Sequence, residues 1–159
     1  MAQRIVYIDA YNVLHKVPRL SRLLASNADA ARRGLVTMLS SRREHATVMH
    51  IVFDSCGEPI NDVRDVTVVF SMSRSADAWI RMRVEQERNP RAVLVVSSDR
   101  EVISHAAAMG AAVRTAEEFL GNDLRALSRA EVPEKETRPL SKGEINEWMA
   151  LFQRQDPQP

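Results

Sequence analysis

Five short apolar runs alternate with segments of helical period, and this alternation constrains the fold more than any other feature of the chain. The runs are "IVYI" (5–8), "VMHIVF" (48–53), "VTVVF" (66–70), "AVLVV" (92–96) and "AAVRT" (111–115). All but the last are dense in Val and Ile with little polar alternation, the mark of strands buried on both faces of a parallel sheet. Between them, "ADAARRGLVTMLSSRR" (28–43) places Ala31, Leu35, Met38 and Leu39 on one helical face. "ADAWIRMRVEQER" (76–88) does the same with Ala76, Trp79, Ile80 and Val84, and Pro90 follows its end. "REVISHAAAMG" (100–110) closes on Gly110, a candidate C-terminal cap, and "AEEFLGNDLRAL" (116–127) follows the last run. Only "DSCGEPINDVRD" separates the second and third runs. It is too short for an ordinary crossover helix and predicts a loop or a hairpin-like connection. The pattern as a whole predicts an α/β sandwich with a mostly parallel five-stranded sheet flanked by helices.

At 159 residues the chain suits one domain with a tail. The domain is expected over residues 1–127. "SRAEVPEKETRPL" (128–140) is charged, carries two prolines and has no period, so it reads as a linker. A helix is predicted over 141–153: Ser141 and Glu144 form a capping box, and Ile145, Trp148, Met149 and Phe152 make one apolar stripe. The stripe needs cover, from its own domain or a second copy of the chain ahead of a foreign partner, which leaves a homo-oligomer open. Residues 154–159 read as a disordered tail.

Composition excludes several classes. No apolar run approaches the roughly 20 residues of a membrane span. Arg4 runs at once into a short strand ending in Asp9, unlike a signal peptide, and the single cysteine, Cys56, excludes an internal disulfide framework. A cytoplasmic location is expected. A formal net charge of +1 does not announce a nucleic-acid binder, although the basic residues are nearly all arginine, which suits bidentate phosphate contacts.

The acids fall at the strand ends. Asp9 follows the first strand, Asp54 the second, Asp77 opens the helix after the third, and Asp99 follows the fourth. In an open α/β sheet the carboxyl ends of the strands form the ligand crevice, so four segments would deliver an aspartate to one edge. Two carboxylates about 5 Å apart repel by roughly 3 kcal/mol at an effective dielectric near 20. The cluster therefore calls for raised pKa values or a cation, and Mg²⁺ or Mn²⁺ fits hard oxygen ligands. Each acid also has a purely structural use, Asp99 as a helix cap and Asp77 in a first helical turn. Asn12 can orient Asp9, a metal-bound water or a phosphate oxygen. Ser71, Ser97 and Ser98, with Arg74 and Arg100, lie in the same loops and are candidates for holding phosphates. No Walker loop, G-x-G-x-x-G fingerprint or D-x-D motif supports a nucleotide-binding enzyme or a small-molecule phosphatase.

"IDAYNVLH", "VFDSCGE", "VVFSMSRSADAWI", "VVSSDREV" and "GAAVRTAEEFL", in this order and spacing, resemble the YacP-like branch of the NYN domains, within the PIN-like nuclease superfamily. The resemblance spans roughly Arg4 to Leu127, and "LSKGEINEWMALF" is similar to the tail helix of the family. It implies a Rossmann-like PIN fold with strand order 3-2-1-4-5. It also implies a divalent-metal ribonuclease, in this branch a ribosome- or translation-linked endoribonuclease. The family's acidic site maps onto Asp9, Asp77 and Asp99, with Asn12 beside them and Asp54 near. Three positions depart from the pattern: Ala10 stands for a glycine, and Ala78 and Arg81 stand for acids on the helix after strand three. The departures leave fewer metal ligands and keep a second reading open, a catalytically silent RNA- or ribosome-binding module.

Overall fold

The computed structural model describes residues 3–121, together with Lys142, Gly143 and Asn146 as helical positions. The linker, most of the predicted C-terminal helix and the tail lie outside the described residues, as does the predicted helix 116–127 beyond residue 121. The elements run β1 (Arg4–Asp9), α1 (Ala10–Leu14), α2 (Pro18–Ser26), α3 (Ala28–Ser41), β2 (Thr47–Phe53), β3 (Val66–Phe70), α4 (Ala76–Gln86), β4 (Val93–Val96), α5 (Arg100–Ala108), β5 (Ala112–Arg114) and α6 (Ala116–Leu120), with a 3₁₀ turn over Pro90–Ala92.

All five strands join one parallel sheet in the order β3-β2-β1-β4-β5. The period-2 geometry of a strand divides its side chains between two helical layers. Val6, Ile8, Met49, Ile51, Phe53, Leu94 and Val96 pack with α1, α2, α3 and α6 on one face. Tyr7, Val52, Val93 and Val95 pack with Ala76, Ile80 and Val84 of α4 and with Val102 and Ala106 of α5 on the other. The strands read as unbroken apolar runs because both faces are covered.

One feature differs from the sequence expectation and a second lies outside it. β2 and β3 are parallel, so a hairpin is excluded; residues 54–65 cross over without a helix. About a dozen residues is the least that such a crossover needs. Second, the chain after Asp9 is helical. α1 starts at once, and α2 opens with Pro18 in its first turn and buries Leu20 and Leu23. Pro at a first helical position was the available signal for α2, since its fixed φ suits the helix and its missing N–H costs nothing there.

Candidate active site at the carboxyl edge of the sheet

The strand order reverses between β1 and β4: the chain leaves β1 toward β2 and β3, then returns to the other side of β1. At such a switch point the carboxyl ends of adjacent strands diverge and leave a crevice. Here the crevice is a cleft of about 340 Å³ lined by Asp9, Asn12, Asp54, Asp77, Ser98 and Asp99, with Tyr11 and Ala76 completing the wall. All four aspartates of the sequence analysis reach it, each from its own segment. A larger cleft of about 510 Å³ lies at the opposite end, between Gln3, Ile5, Arg83 and Asn89. It contains a single carboxylate, Glu87, which accepts a hydrogen bond from Tyr7, and gathers no acid set.

Asp9 ends β1 and is the N-cap residue of α1, with 4% of its surface exposed. Its Oδ2 accepts from the buried Ser97 hydroxyl at 3.3 Å. Ser97 Oγ in turn accepts from the Asp99 backbone N–H at 3.1 Å, so one hydroxyl ties the end of β1 to the turn after β4. Asn12 bridges the same gap: its Oδ1 accepts from the Ser98 backbone N–H at 3.1 Å. That bond leaves the amide NH₂ for Asp9, with which Asn12 also hydrogen-bonds. Asn12 thus contacts both Asp9 and the turn after β4.

Asp99 caps α5 through Oδ1, which accepts from Glu101 N–H at 2.8 Å and Val102 N–H at 3.3 Å. Asp77 lies in the first turn of α4, whose N-cap Ser75 accepts from Ala78 N–H at 3.1 Å. Both acids therefore stand at helix N-termini that open on the crevice, where the macrodipole favours a carboxylate.

The charges crowd at Asp77. Partial burial and the Asp9 and Asp99 carboxylates beside it push its pKa up to about 6. Burial also raises Asp9, against hydrogen bonds from Asn12, Asp77 and Ser97 that favour its charged form. A hard divalent cation fits this donor set in chemistry: oxygen ligands only, and carboxylates short of counter-charge. Among the described residues no three Asp, Glu, His or Cys side chains are placed to hold one ion together. The contacts run in pairs, Asp77 with Asp9 and Asp77 with Asp99. That suits Mg²⁺, which is commonly held by one or two carboxylates with waters and substrate phosphates filling its octahedron.

The remaining candidates divide. Asp54 is exposed on the rim of the cleft. Ser98 lines it, but its hydroxyl donates to Glu117 Oε2 at 3.4 Å, and Glu117 pairs with Lys16 at 2.6 Å. Ser71, a candidate for holding phosphate by sequence, is buried, and its hydroxyl donates to the Phe53 carbonyl at 3.2 Å, locking the ends of β2 and β3 together. Ser97 likewise is fully buried and serves Asp9, not a ligand. Arg74 is exposed with Nη1 at 2.9 Å from Met82 Sδ, and Arg100 is exposed at the first position of α5. Arg81 is not among the residues that line the cleft. Tyr11 lines the cleft without being a sequence candidate; its place between Asp9 and Asn12, in the first turn of α1, is the signal for it.

The YacP-like NYN domain model matches residues 6–150. The fold is similar to the crystal structure of Rae1 (YacP) from Bacillus subtilis, with a TM-score of 0.64 at 23% identity, over 80% of this chain and 76% of that one. A point mutant of the same protein gives the same TM-score and identity, over 80% of this chain and 78% of that one. No curated protein matches the chain.

Proposed function

The chain belongs to the YacP-like NYN domain family, a PIN-like nuclease family, and from that premise we propose that it is a divalent-metal-dependent endoribonuclease working at the carboxyl edge of the sheet. The observation that carries the reading is the Asp77 carboxylate set between those of Asp9 and Asp99, with its pKa pushed up to about 6 for want of a counter-charge. Asp9, Asp77 and Asp99 would hold Mg²⁺ or Mn²⁺, a pair of them directly and the third through a bound water, with Asp54 at the rim. Such an ion, when bound, polarises a scissile phosphate and makes a water nucleophilic near neutral pH. Asn12 and Ser97 fix the Asp9 carboxylate in orientation, so that it meets cation and substrate without rearranging. Asp99 keeps its place because one of its oxygens is committed to the α5 backbone. Arg74, exposed on the loop before α4, and Arg100, exposed at the first position of α5, would contact RNA phosphates on either side of the cleavage point. A ribosome- or translation-linked substrate and a cytoplasmic setting complete the proposal, on family membership alone.

Purified protein with Mn²⁺ should cleave single-stranded RNA, and Asp9→Asn should abolish the cleavage. Cleavage retained in Asp9→Asn, with contaminating nucleases excluded, would overturn the assignment.

The second reading, an RNA-binding module without catalysis, is favoured by Ala78 and Arg81 at positions where acids are usual in the family, and by the pairwise spacing of the carboxylates. Calorimetry separates the two. RNA binding intact, with no heat of Mn²⁺ binding at millimolar levels, establishes the silent module.

A further inference from the structure

Asp54 is the one cleft acid that neither a strand nor a helix holds in place; it begins the 54–65 crossover. The start of that crossover is nevertheless pinned from beneath. Tyr11, on α1, lines the cleft, and its ring meets Phe53 edge-on with centroids 5.5 Å apart. Its hydroxyl lies 3.0 Å from Ser55 Oγ and accepts from Arg32 Nε at 2.9 Å. Because the tyrosine oxygen accepts from the guanidinium, its own proton is free to donate to Ser55. Arg32 comes from α3 with its side chain 12% exposed, and Asp29, one turn earlier, holds its Nη1 at 2.8 Å. Two residues beyond Ser55, the backbone of Gly57 closes on the same support. A Cβ there would stand 2.7 Å from Phe70 Cε1 and 3.2 Å from Arg32 Nη1, so only glycine allows the loop to sit this low.

We propose that Arg32 and Tyr11 form a latch that seats residues 54–57 on the core and so fixes Asp54 at the rim of the cleft. They are positioning residues: Arg32 acts through the Tyr11 hydroxyl, Tyr11 through Ser55, and the loop presents Asp54 to incoming substrate. The link is a charge-assisted hydrogen bond followed by a neutral one, both part-buried, and the Tyr11 ring packs on Phe53, which stacks on Phe70 at 5.4 Å. The consequence for RNA rests on the nuclease reading above; the latch itself does not.

Cys56, the only cysteine in the chain, is exposed within the latched segment and provides a reporter. A nitroxide attached to Cys56 should give a slow-motion spectrum in the wild-type protein and a faster, sharper one in Tyr11→Phe, which keeps the ring and loses the hydroxyl. Arg32→Lys should behave alike, because lysine keeps the charge and loses the Nε fork. Ser55→Ala breaks the latch from the loop side, where the core is undisturbed. In unlabelled protein each variant should raise the KM for RNA roughly 3- to 10-fold, the range that loss of one net hydrogen bond allows, with kcat changed less than KM. Spectra unchanged in both Tyr11→Phe and Ser55→Ala would overturn the latch, whether or not the protein cleaves RNA. A loosened loop with an unchanged KM would overturn its positioning role. Absence of cleavage by wild-type protein would sink the nuclease reading while the spectra still decided the latch.

Discussion

At the scale of single residues the site is governed by Asp77. Its folded-state pKa is raised from 3.8 to about 6, so the folded chain holds that proton more tightly than the unfolded chain does. The contribution to stability is complete below the unfolded value and is lost as pH rises through the folded one. In metal-free protein near neutral pH an ionised Asp77 is therefore a net cost. Asp77→Asn should stabilise the metal-free protein at about pH 7.5 by on the order of 1 kcal/mol, the small size reflecting solvent screening of a partly exposed group. Thermal melts should show the gain shrinking toward about pH 4.5, where Asp77 keeps its proton. Cation binding has the opposite sign: Mn²⁺ must displace that proton, so calorimetric affinity should fall about tenfold per unit of pH below about 6. Asn12→Ala frees Asp9 to turn and leaves the Ser98 N–H without its acceptor. Metal affinity or cleavage should drop roughly 10- to 100-fold, as for other groups that orient a ligand. The meeting of the acids at one edge is legible in sequence because Asp9, Asp54 and Asp99 follow predicted strands and Asp77 opens the helix after one. The inward commitments of Ser71 and Ser97 are not, since a hydroxyl at a strand end offers the same residue type to a ligand or to a neighbouring strand.

At the scale of elements, helix ends decide where the side chains of the site fall. Asn27, Ser75, Asp99 and Thr115 all cap through side-chain oxygens, and Thr115 with Glu118 completes a capping box. The α5 end is as specific as its start. Gly110 has φ +93, its N–H bonds to the Ala107 carbonyl, and the Ala111 N–H bonds to that of Ala106, the paired bonds of a Schellman motif. A Cβ on Gly110 would meet nothing nearer than Pro90 Cβ at 3.9 Å, so the cost of a side chain there is conformational and not steric. Gly110→Ala should destabilise the protein by about 1–2 kcal/mol in chemical denaturation, with an unchanged denaturant slope. Gly110 as a cap was readable because a glycine closes an apolar helical pattern. α1 is hidden in the sequence because a five-residue helix shows barely one turn of period, whereas α2 carries a readable signal in Leu20, Leu23 and Leu24 at i, i+3 and i+4. The parallel pairing of β2 with β3 was equally hidden: sequence gives the length of a connection but not the side of the sheet on which it lands.

At the scale of the whole molecule, a cation that binds only the folded state must raise its stability by mass action. Saturation at about 100 times Kd adds about 2.7 kcal/mol. Mn²⁺ should therefore raise the melting temperature of the wild-type protein, chelator should reverse the rise, and Asp9→Asn should remove it. With a net charge of only +1, any affinity for RNA depends on where the arginines stand and not on bulk charge, and it should weaken steeply with salt. The covering of both sheet faces, the α/β class and the delivery of four aspartates to one edge follow from the sequence itself, because burial demands a repeating local pattern that a linear reading can see. What only the tertiary structure decides is the partnership of those groups. That Asp77 lies against both Asp9 and Asp99, that Ser97 serves Asp9, and that Arg32 reaches Tyr11 depend on strand order and crossover. Those contacts join residues up to 88 apart in the chain, and over such separations hydrogen bonds and charge repulsion are set by packing, with no local pattern to record them.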